Sequence, residues 1–543
     1  MTQSPPGGSR GGRLGRFLQA GHALESRGVA SAAGVVALGF IGSRLLGLMR
    51  SAAIASVFGT EPELSAYWVA FRLPDLVFQV LAGATLAAAF IPTFSRVQLR
   101  AGEDAAWRLA SSVLNLIAIA TGVAAAIAWL LAPLLVPLLA PGLGEESGRE
   151  LELRALAIEL TRVMLISPVL FGISGMLTGI LNARQHFLAP ALAPMFYNLG
   201  IIGGAVFLGE RFGVYGLATG VVLGSAGHLL VQLPALRGTG MRWSVTLDLT
   251  SEGVAEVARL MGPRVIGLAA AQINFVVMMF FASFVSDQAI SAINYAFLMA
   301  MLPVGVIGMA ISTALFPTLA QQAATRQEQT LRATLASSLR MILFLSIPAA
   351  LGLVVLAEPA VVLLLKRGAF DDASVAPVTA ALQLFALGIA ANAAIEILSR
   401  GFYAFSDTRT PVQFAVLAMV LNVALSAALV GPFGVRGLAA AGSLAAYAEC
   451  AGLWFALHRR LGGLGRRQVL RSVLRTVLAT LVMGQVMVVA IVLLRATGIE
   501  ATTTLDALTT ALVAGLAGVA AFATAAGQLR SEEYRFIATR LSG

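Results

Sequence analysis

The sequence predicts an all-α polytopic membrane protein of about fourteen transmembrane helices, arranged as two six-helix lobes and two further C-terminal helices. The chain of 543 residues is 58% hydrophobic and 12% charged, with a mean hydropathy of +0.86. A soluble protein is nearer half apolar and a quarter charged. Apolar stretches long enough to cross a bilayer recur from end to end. They leave no hydrophilic stretch long enough for a separate soluble domain.

A membrane-embedded motif pattern occurs twice, in the same order, along the chain. The matched pairs are SRLLG and PRVIG (43–47 and 263–267), AFIPT and LFPT (89–93 and 315–318), and two later stretches that contain Asn198 and Asn422. Three matches in one order indicate a duplicated bundle. Many transporters are built in this way and place the substrate site between the two halves.

Fourteen apolar segments are predicted as membrane helices: 30–58, 65–97, 107–140, 153–183, 187–209, 213–236, 253–284, 288–321, 331–365, 373–404, 411–431, 435–458, 472–494 and 505–528. Several are longer than the bilayer is thick, so they must tilt, bend or project beyond it. Helices 1–6 and 7–12 correspond to the two copies of the repeat, whereas helices 13 and 14 have no counterpart.

The basic residues assign an orientation to these helices. With the N-terminus in the cytoplasm, most of the 37 Lys and Arg residues fall in the N-tail, the cytoplasmic loops and the C-tail, in line with the positive-inside rule. Both lobes then begin on the cytoplasmic side, which makes them parallel repeats. The predicted regions are a disordered cytoplasmic N-tail (1–28), an N-lobe (29–237), a cytoplasmic linker (238–252), a C-lobe (253–461), helices 13 and 14 (462–529) and a cytoplasmic C-tail (530–543).

Two arginines of helix 1 are the first candidate functional groups. Ionisable side chains are costly inside a membrane and usually face a cavity or a partner. Arg44 and Arg50 are six residues apart, so they do not share one face of a straight helix. A bend at Gly47 could turn both toward one cavity. In the alternative interpretation one arginine pairs structurally and the other snorkels to the interface.

Further candidates lie in the other predicted helices. Arg264 follows Pro263 in helix 7 and is a third candidate for the cavity. Glu396 and Glu449 are candidates for ion or proton coupling, although Glu396 could instead pair with Arg400 four residues later. Candidate cavity-lining residues are Arg72, Asp75, Gln272, Asn274 and Ser291. Arg72 and Asp75 could equally form a structural pair along one face of helix 2.

Several other chemistries find no support in the sequence. Cys450 is the only cysteine, which excludes an intrachain disulfide and a multi-cysteine metal site. The chain contains no GxxxxGK[ST], HExxH or GxSxG motif. Its net charge of +10 is explained by basic residues that orient the chain in the membrane, and not by nucleic-acid binding. We expect a monomer without a cofactor, with the membrane potential or a monovalent ion as a candidate driving force.

Nine stretches spread over almost the whole chain match one known family. They are SRLLGLMR (43–50), VFGTEPELSAYWVAFRLPDL (57–76), AAAFIPTFSR (87–96), GILNARQHFLAPALAP (179–194), PRVIGLAAAQIN (263–274), ISAINYA (290–296), ISTALFPTLA (311–320), KRGAFD (366–371) and FYAFSDTRTPV (402–412). Through these stretches the chain resembles the MurJ (MviN) lipid II flippases, which belong to the multidrug/oligosaccharidyl-lipid/polysaccharide exporter superfamily.

The resemblance implies two lobes around a central cationic cavity that alternates between inward- and outward-facing states. It implies movement of lipid II, the undecaprenyl-diphosphate-linked peptidoglycan precursor, from the inner to the outer leaflet without covalent catalysis. Helices 13 and 14 would form a groove for the lipid tail. Arg44 and Arg50 fall on two cavity arginines of the family and would bind the diphosphate, because guanidinium groups form bidentate charged hydrogen bonds with it.

Some positions depart from the family pattern. The family has an arginine at the position of Phe78, an acidic residue at Gly83, and Asp/Glu-Arg where this chain has Phe297-Leu298. Ser51 and Ser65 also replace acidic residues. Two of four expected cavity arginines are therefore missing. Arg264 or Arg72 could compensate; otherwise the substrate differs or the activity is reduced.

Together these observations predict a lipid II flippase of the bacterial cytoplasmic membrane, working by alternating access, with both termini in the cytoplasm. Its partners would be lipid II, or a related polyprenyl-diphosphate glycan, and membrane lipids. The alternatives are an exporter of another polyprenyl-linked glycan or an amphiphile, a non-transporting membrane scaffold, and a membrane-embedded glycosyltransferase. The absence of an acidic external catalytic loop from this sequence counts against a glycosyltransferase.

Overall fold

The computed structural model describes residues 39, 41–81, 85–248 and 252–541, apart from the side chains of 85–89, 252, 260, 262–271 and 541. Every regular element in these ranges is helical, as predicted. The predicted N-tail (1–28) and Gly83 lie outside the described residues.

The first half of the described chain runs from α1 to α9. The helices are α1 (Ile41–Phe58), α2 (Pro62–Leu81), α3 (Thr85–Leu139), α4 (Glu150–Met164), α5 (Ile166–Ala183), α6 (Leu188–Gly203), α7 (Gly209–Phe212), α8 (Val214–Leu230) and α9 (Leu233–Leu236). A π-helical turn (Gly204–Leu208) joins α6 to α7, and a 3-10 turn (Arg237–Thr239) follows α9.

The second half and the C-terminal part run from α10 to α20. The helices are α10 (Glu252–Ser283), α11 (Ala289–Pro303), α12 (Ala310–Ala324), α13 (Glu328–Val355), α14 (Ala357–Leu365), α15 (Asp372–Leu387), α16 (Ile389–Ala404), α17 (Arg409–Arg460), α18 (Arg466–Ala496), α19 (Thr504–Gln528) and α20 (Glu532–Leu541). A π-helical turn (Val304–Met309) joins α11 to α12.

The chain is a multi-pass membrane protein. Ten spans within the described residues are long and apolar enough to cross a membrane, or eleven if the bent pair α15–α16 counts as one span. Two of these spans are 50 and 52 residues long. They are broken at Gly102 and Gly434, whose positive φ angles suit a residue without a Cβ. With these divisions, the bent pair and α10 counted, and with α2 and the first part of α3 both falling in predicted segment 65–97, the helices correspond to the fourteen predicted segments.

Two equivalent contacts join the halves at one end of the bundle, which we call the clasped end. The loop after α14 packs on the end of α1, where the Ala369 N–H donates to the Ser56 carbonyl (2.8 Å). The loop after α3 packs on the end of α10, where the Gly142 N–H donates to Ser283 Oγ (3.1 Å). In each contact, the loop after the third predicted membrane segment of one half, which ends with α3 or α14, binds the end of the first segment of the other half, α10 or α1.

The start of α10 belongs by its contacts to the first half. The preceding linker lies along α3, where the Asn115 side-chain amide donates to the carbonyls of Ser244 and Thr246 (2.9 Å each). Arg96 then pairs with Glu256 in the first turns of α10 (2.7 Å). Farther along, α10 packs on α17 of the second half, and α18 and α19 pack on each other and beside α13. Helix α10 therefore bridges the two halves.

Candidate functional site

A cavity of about 850 Å³ contains the two arginines of α1. Arg44, Gly47 and Arg50 line it together with Asn182 of α5 and Asn198 of α6. Leu298 and Leu302 of α11 contribute an apolar wall from the second half. The cavity thus combines guanidinium and amide groups with apolar side chains, a lining suited to an anionic amphiphile.

The two arginines line one cavity from a helix that is unbroken at Gly47. The described part of α1 is helical throughout from Ile41 to Phe58. Residues six apart differ by about 120° around a straight helix. A Cβ at Gly47 would meet nothing within 4 Å, so the space around this part of α1 is open. Arg44 is exposed and Arg50 half-buried, and their long side chains border the cavity from adjacent sides of the helix.

Arg50 makes no hydrogen bond and no ion pair with any described residue. By comparison, Arg162, another arginine of a membrane helix, has a partner: its guanidinium lies 4.4 Å from the centre of the Trp129 ring. The donors of Arg50 are consequently available to a ligand. A phosphate group, which accepts two parallel hydrogen bonds from one guanidinium, matches them well.

A buried polar network supports one wall of this cavity. Thr178, which lines the cavity, donates to Gln232 Oε1 (3.0 Å). The Gln232 amide donates to Ser174 Oγ, and Ser174 Oγ lies 2.6 Å from His228 Nδ1. The sequence did not single out this network, because its members come from α5, from α8 and from the turn after α8, and have no common motif. The network orients the hydroxyl that Thr178 presents at the wall.

Apolar side chains occupy the two positions where the family pattern has arginines. Leu298 lines the cavity directly. Phe78 instead packs on Phe171, with ring centres 4.9 Å apart, and it does not line this cavity. Restoring charge at these two positions would therefore have different consequences.

Arg72 joins the two halves and does not line the 850 Å³ cavity; it lines a smaller cavity of about 120 Å³ at the contact between the halves. Its guanidinium donates to the side chain (2.6 Å) and the carbonyl (3.2 Å) of Gln272 in α10. It also pairs with Asp75 (3.4 Å) and lies 4.7 Å from the centre of the Phe275 ring. Its side chain is only 11% exposed. Arg72 thus binds Asp75 and Gln272 at the contact between α2 and α10, and none of the three lines the 850 Å³ cavity.

Ser291 does not line the 850 Å³ cavity either. It is fully buried, and its hydroxyl lies 3.0 Å from that of Ser65 at the contact between α2 and α11. Arg264 lies in α10, but its side chain is outside the described part of the chain. Its role as a third cavity arginine stays a prediction.

The remaining candidates lie in the second half. Asn274 accepts a hydrogen bond from Asn422 (2.5 Å) and lines a separate cavity of about 320 Å³. Glu396 pairs with Arg400 (2.5 Å), the favourable helical pair that the spacing allowed. Glu449 lines the same 320 Å³ cavity as Asn274. The described residues contain no group of three or more His, Cys, Asp or Glu side chains that could hold a metal ion.

Known proteins match this chain over most of its length. The family model for the lipid II flippase MurJ matches residues 54–505, a range that begins just after Arg50. A probable lipid II flippase MurJ from Vibrio cholerae is 30% identical over 424 residues, covering 77% of this chain and 80% of the relative. The lipid II flippase MurJ from Burkholderia cenocepacia is 30% identical over 404 residues, covering 73% of this chain and 77% of the relative.

Solved structures share the fold. A lipid II flippase MurJ in an inward closed conformation superposes with a TM-score of 0.74 at 23% identity, covering 91% of this chain and 99% of that one. An inward-facing multidrug transporter of the MATE family gives a TM-score of 0.62 at 16% identity, covering 78% of this chain and 96% of that one.

Proposed function

Since this chain belongs to the lipid II flippase MurJ family, we propose that it moves lipid II from the inner to the outer leaflet of a membrane by alternating access. The observation that carries the proposal is the 850 Å³ cavity with Arg44 and Arg50 in its lining. Arg50 has no ion-pair partner among the described residues, so a bound diphosphate would supply one. Transport by this route needs no covalent step.

The membrane is the bacterial cytoplasmic membrane in this proposal, with both termini in the cytoplasm and the clasped end toward the periplasm. The distribution of basic residues supports this orientation. Arg44 precedes Phe58, at the clasped end of α1, by fourteen residues, or about 21 Å of helix. The arginines would then lie toward the cytoplasmic side, where the substrate enters, while the clasp closes the periplasmic side.

Each part of the substrate has a proposed partner. Arg44 and Arg50, with Arg264 as a third, bind the diphosphate, and a groove between α18 and α19 takes the lipid tail. The protein acts as a monomer, and the membrane potential or a monovalent ion drives the cycle.

Lipid II binding to the protein in nanodiscs tests this proposal. A hydrogen bond to a charged group contributes about 1.5–3 kcal/mol, so Arg50→Ala should weaken binding roughly 10- to 100-fold. Arg50→Lys should restore it only partly, because ammonium is a point charge rather than a fork. Arg162→Ala is the matched control, since it removes a membrane arginine that does not line the cavity. Equal lipid II affinity in the Arg50 and Arg162 variants would contradict the assignment.

A related glycan is the second candidate substrate. The apolar Leu298 favours it, because it stands at a family arginine position in the cavity wall and leaves less positive charge for a diphosphate. Competition between lipid II and polyprenyl-linked glycans with fewer phosphate charges would separate the two. Preference for another glycan, with the same dependence on Arg50, would favour this second candidate. Complementation of a strain depleted of its lipid II flippase provides the cellular test.

A further inference from the structure

Two adjoining cavities in the second half form a site distinct from the arginine cavity. One has a volume of about 320 Å³ and the other about 460 Å³. Val412, Ala415 and Glu449, all of α17, line both. We call these cavities and their shared lining the Glu449 site. Its combined size lies in the range typical of pockets that enclose small organic molecules.

The charges in the Glu449 site do not balance. Its ionisable lining residues are Glu396, Arg400 and Tyr403 of α16 and Glu449 of α17. Arg400 is already engaged, since it pairs with Glu396 (2.5 Å) and donates to Thr313 (3.0 Å). Glu449 has no hydrogen-bond or ion-pair partner among the described residues. A lone carboxylate inside a membrane protein is costly unless a cation or a proton neutralises it.

The walls of the site are aromatic and apolar. Phe297 and Phe385 both line it and meet edge to face, with ring centres 5.6 Å apart. Met278 and Met301 line the same cavity, and methionine side chains adapt to ligands of different shape. Aromatic faces attract organic cations, most strongly where water is excluded.

An inorganic ion fits the site less well than an organic one. Hard cations need several oxygen ligands, but the polar side chains near Glu449 are largely engaged. Asn274 Oδ1 accepts from Asn422 (2.5 Å), and the Ser443 hydroxyl donates to the Leu384 carbonyl (2.7 Å). One carboxylate among phenylalanine and methionine side chains instead complements a large, weakly hydrated cation.

We propose that the Glu449 site binds an amphiphilic organic cation, with the Glu449 carboxylate as its counter-ion and Phe297 and Phe385 against its apolar groups. No residue that lines the Glu449 site also lines the cavity of Arg44 and Arg50. Its ligand is either a separate amphiphilic amine or the ammonium group of a transported head group. The recognition chemistry is the same in both cases.

A fluorescent lipophilic cation, rhodamine 6G, titrated into the protein in nanodiscs tests the proposal by fluorescence anisotropy. We expect saturable binding that Glu449→Gln weakens at least tenfold. Glu358→Gln is the matched control, since Glu358 pairs with Arg495 outside this site. Phe297→Leu should also weaken binding. It keeps the test usable if Glu449→Gln fails to fold. No saturable binding, or equal affinity in the Glu449 and Glu358 variants, would overturn the proposal.

Lipid II competition identifies the source of the cation. Displacement of rhodamine 6G by lipid II in a Glu449-dependent manner would assign the site to a head-group ammonium; simultaneous binding would assign it to a separate amine. Arg50→Ala separates this proposal from the proposed function, because it should weaken lipid II binding and leave the affinity for rhodamine 6G unchanged. Loss of rhodamine 6G binding in a folded Arg50→Ala protein would contradict an independent site.

Discussion

The hydroxyl oxygens of Ser65 and Ser291 lie 3.0 Å apart, although 226 residues separate them in sequence. Both serines begin the same pattern, Ser-Ala-x-x-x-Ala-Phe, at 65–71 and 291–297, so they occupy equivalent positions in the two halves. Equivalent residues touch each other only near the axis that relates the two copies. The axis of the duplicated bundle therefore passes close to this hydrogen bond, at the starts of α2 and α11.

The clasp should open when a side chain is added at Gly368. Gly368 has a φ of +57°, and a Cβ there would collide with the Ser56 carbonyl. Gly368→Ala should therefore lengthen the distance between spin labels placed at Glu145 and Arg367, on loops of opposite halves, in a Cys450→Ala background. Gly122→Ala is the control, because a Cβ there meets nothing within 4 Å. An unchanged distance distribution in Gly368→Ala would count against the clasp.

Mild acid should favour the clasped state through Glu61. Burial, together with the carboxylates of Glu63 and Asp371, raises the pKa of Glu61. Hydrogen bonds from Ser374 lower the pKa of Asp371, so Asp371 stays charged in the same pH range. Asp371 belongs to the other half, and opening the clasp would separate it from Glu61 and lower the Glu61 pKa.

The sign of this pH dependence follows from proton binding. A carboxyl with a higher pKa in the clasped state binds more protons there, so that state gains stability as pH falls through the raised pKa and loses it as pH rises. With the same spin labels at positions 145 and 367, lowering the pH from neutral to mildly acidic should increase the population of short distances. Glu61→Gln should remove most of the shift. A shift of undiminished size in Glu61→Gln would assign the pH response to other groups.

Removing Arg72 should destabilise the contact between the halves. Its loss would leave the Asp75 carboxylate and the Gln272 amide without their shared partner. Breaking a buried ion pair costs about 3–5 kcal/mol, so Arg72→Met should lower the thermal midpoint by several degrees. Arg72→Met with Asp75→Asn should recover part of the loss, because no unpaired charge remains. Thermal unfolding in one detergent measures both; equal midpoints for the single and the double variant would argue against the pair.

Restoring an arginine at Leu298 should strengthen binding of a diphosphate. Leu298 lines the cavity that holds Arg44 and Arg50, so Leu298→Arg adds a third positive charge to it. One further charged hydrogen bond, about 1.5–3 kcal/mol, should tighten lipid II binding roughly tenfold or more at low salt. Phe78→Arg should not do so, because Phe78 packs on Phe171 instead. Titrations of lipid II into both variants measure these affinities. Tighter binding by Phe78→Arg alone would contradict the placement of position 298, and not 78, in the cavity.

The sequence alone predicted the helical fold, the duplication and the positions of the membrane segments. These properties depend on local hydropathy and on the order of motifs, which a single chain displays directly. Gly102 and Gly434 divide two very long helices where the predicted segments end and begin. Arg44 and Arg50 could also be selected from sequence, because arginine inside an apolar helix is costly and needs a reason.

Only the tertiary structure decided which charged residues have partners. Arg72 and Glu449 are both ionisable residues in apolar helices, although Arg72 has a candidate partner, Asp75, three residues away. Packing of α2 on α10 brings Gln272 to Arg72, whereas no described residue of α16 or α17 supplies a partner for Glu449. Contacts between residues some 200 positions apart depend on how the helices pack, and hydropathy carries no information about that packing. The availability of a charge to a ligand is therefore a property of the assembled bundle.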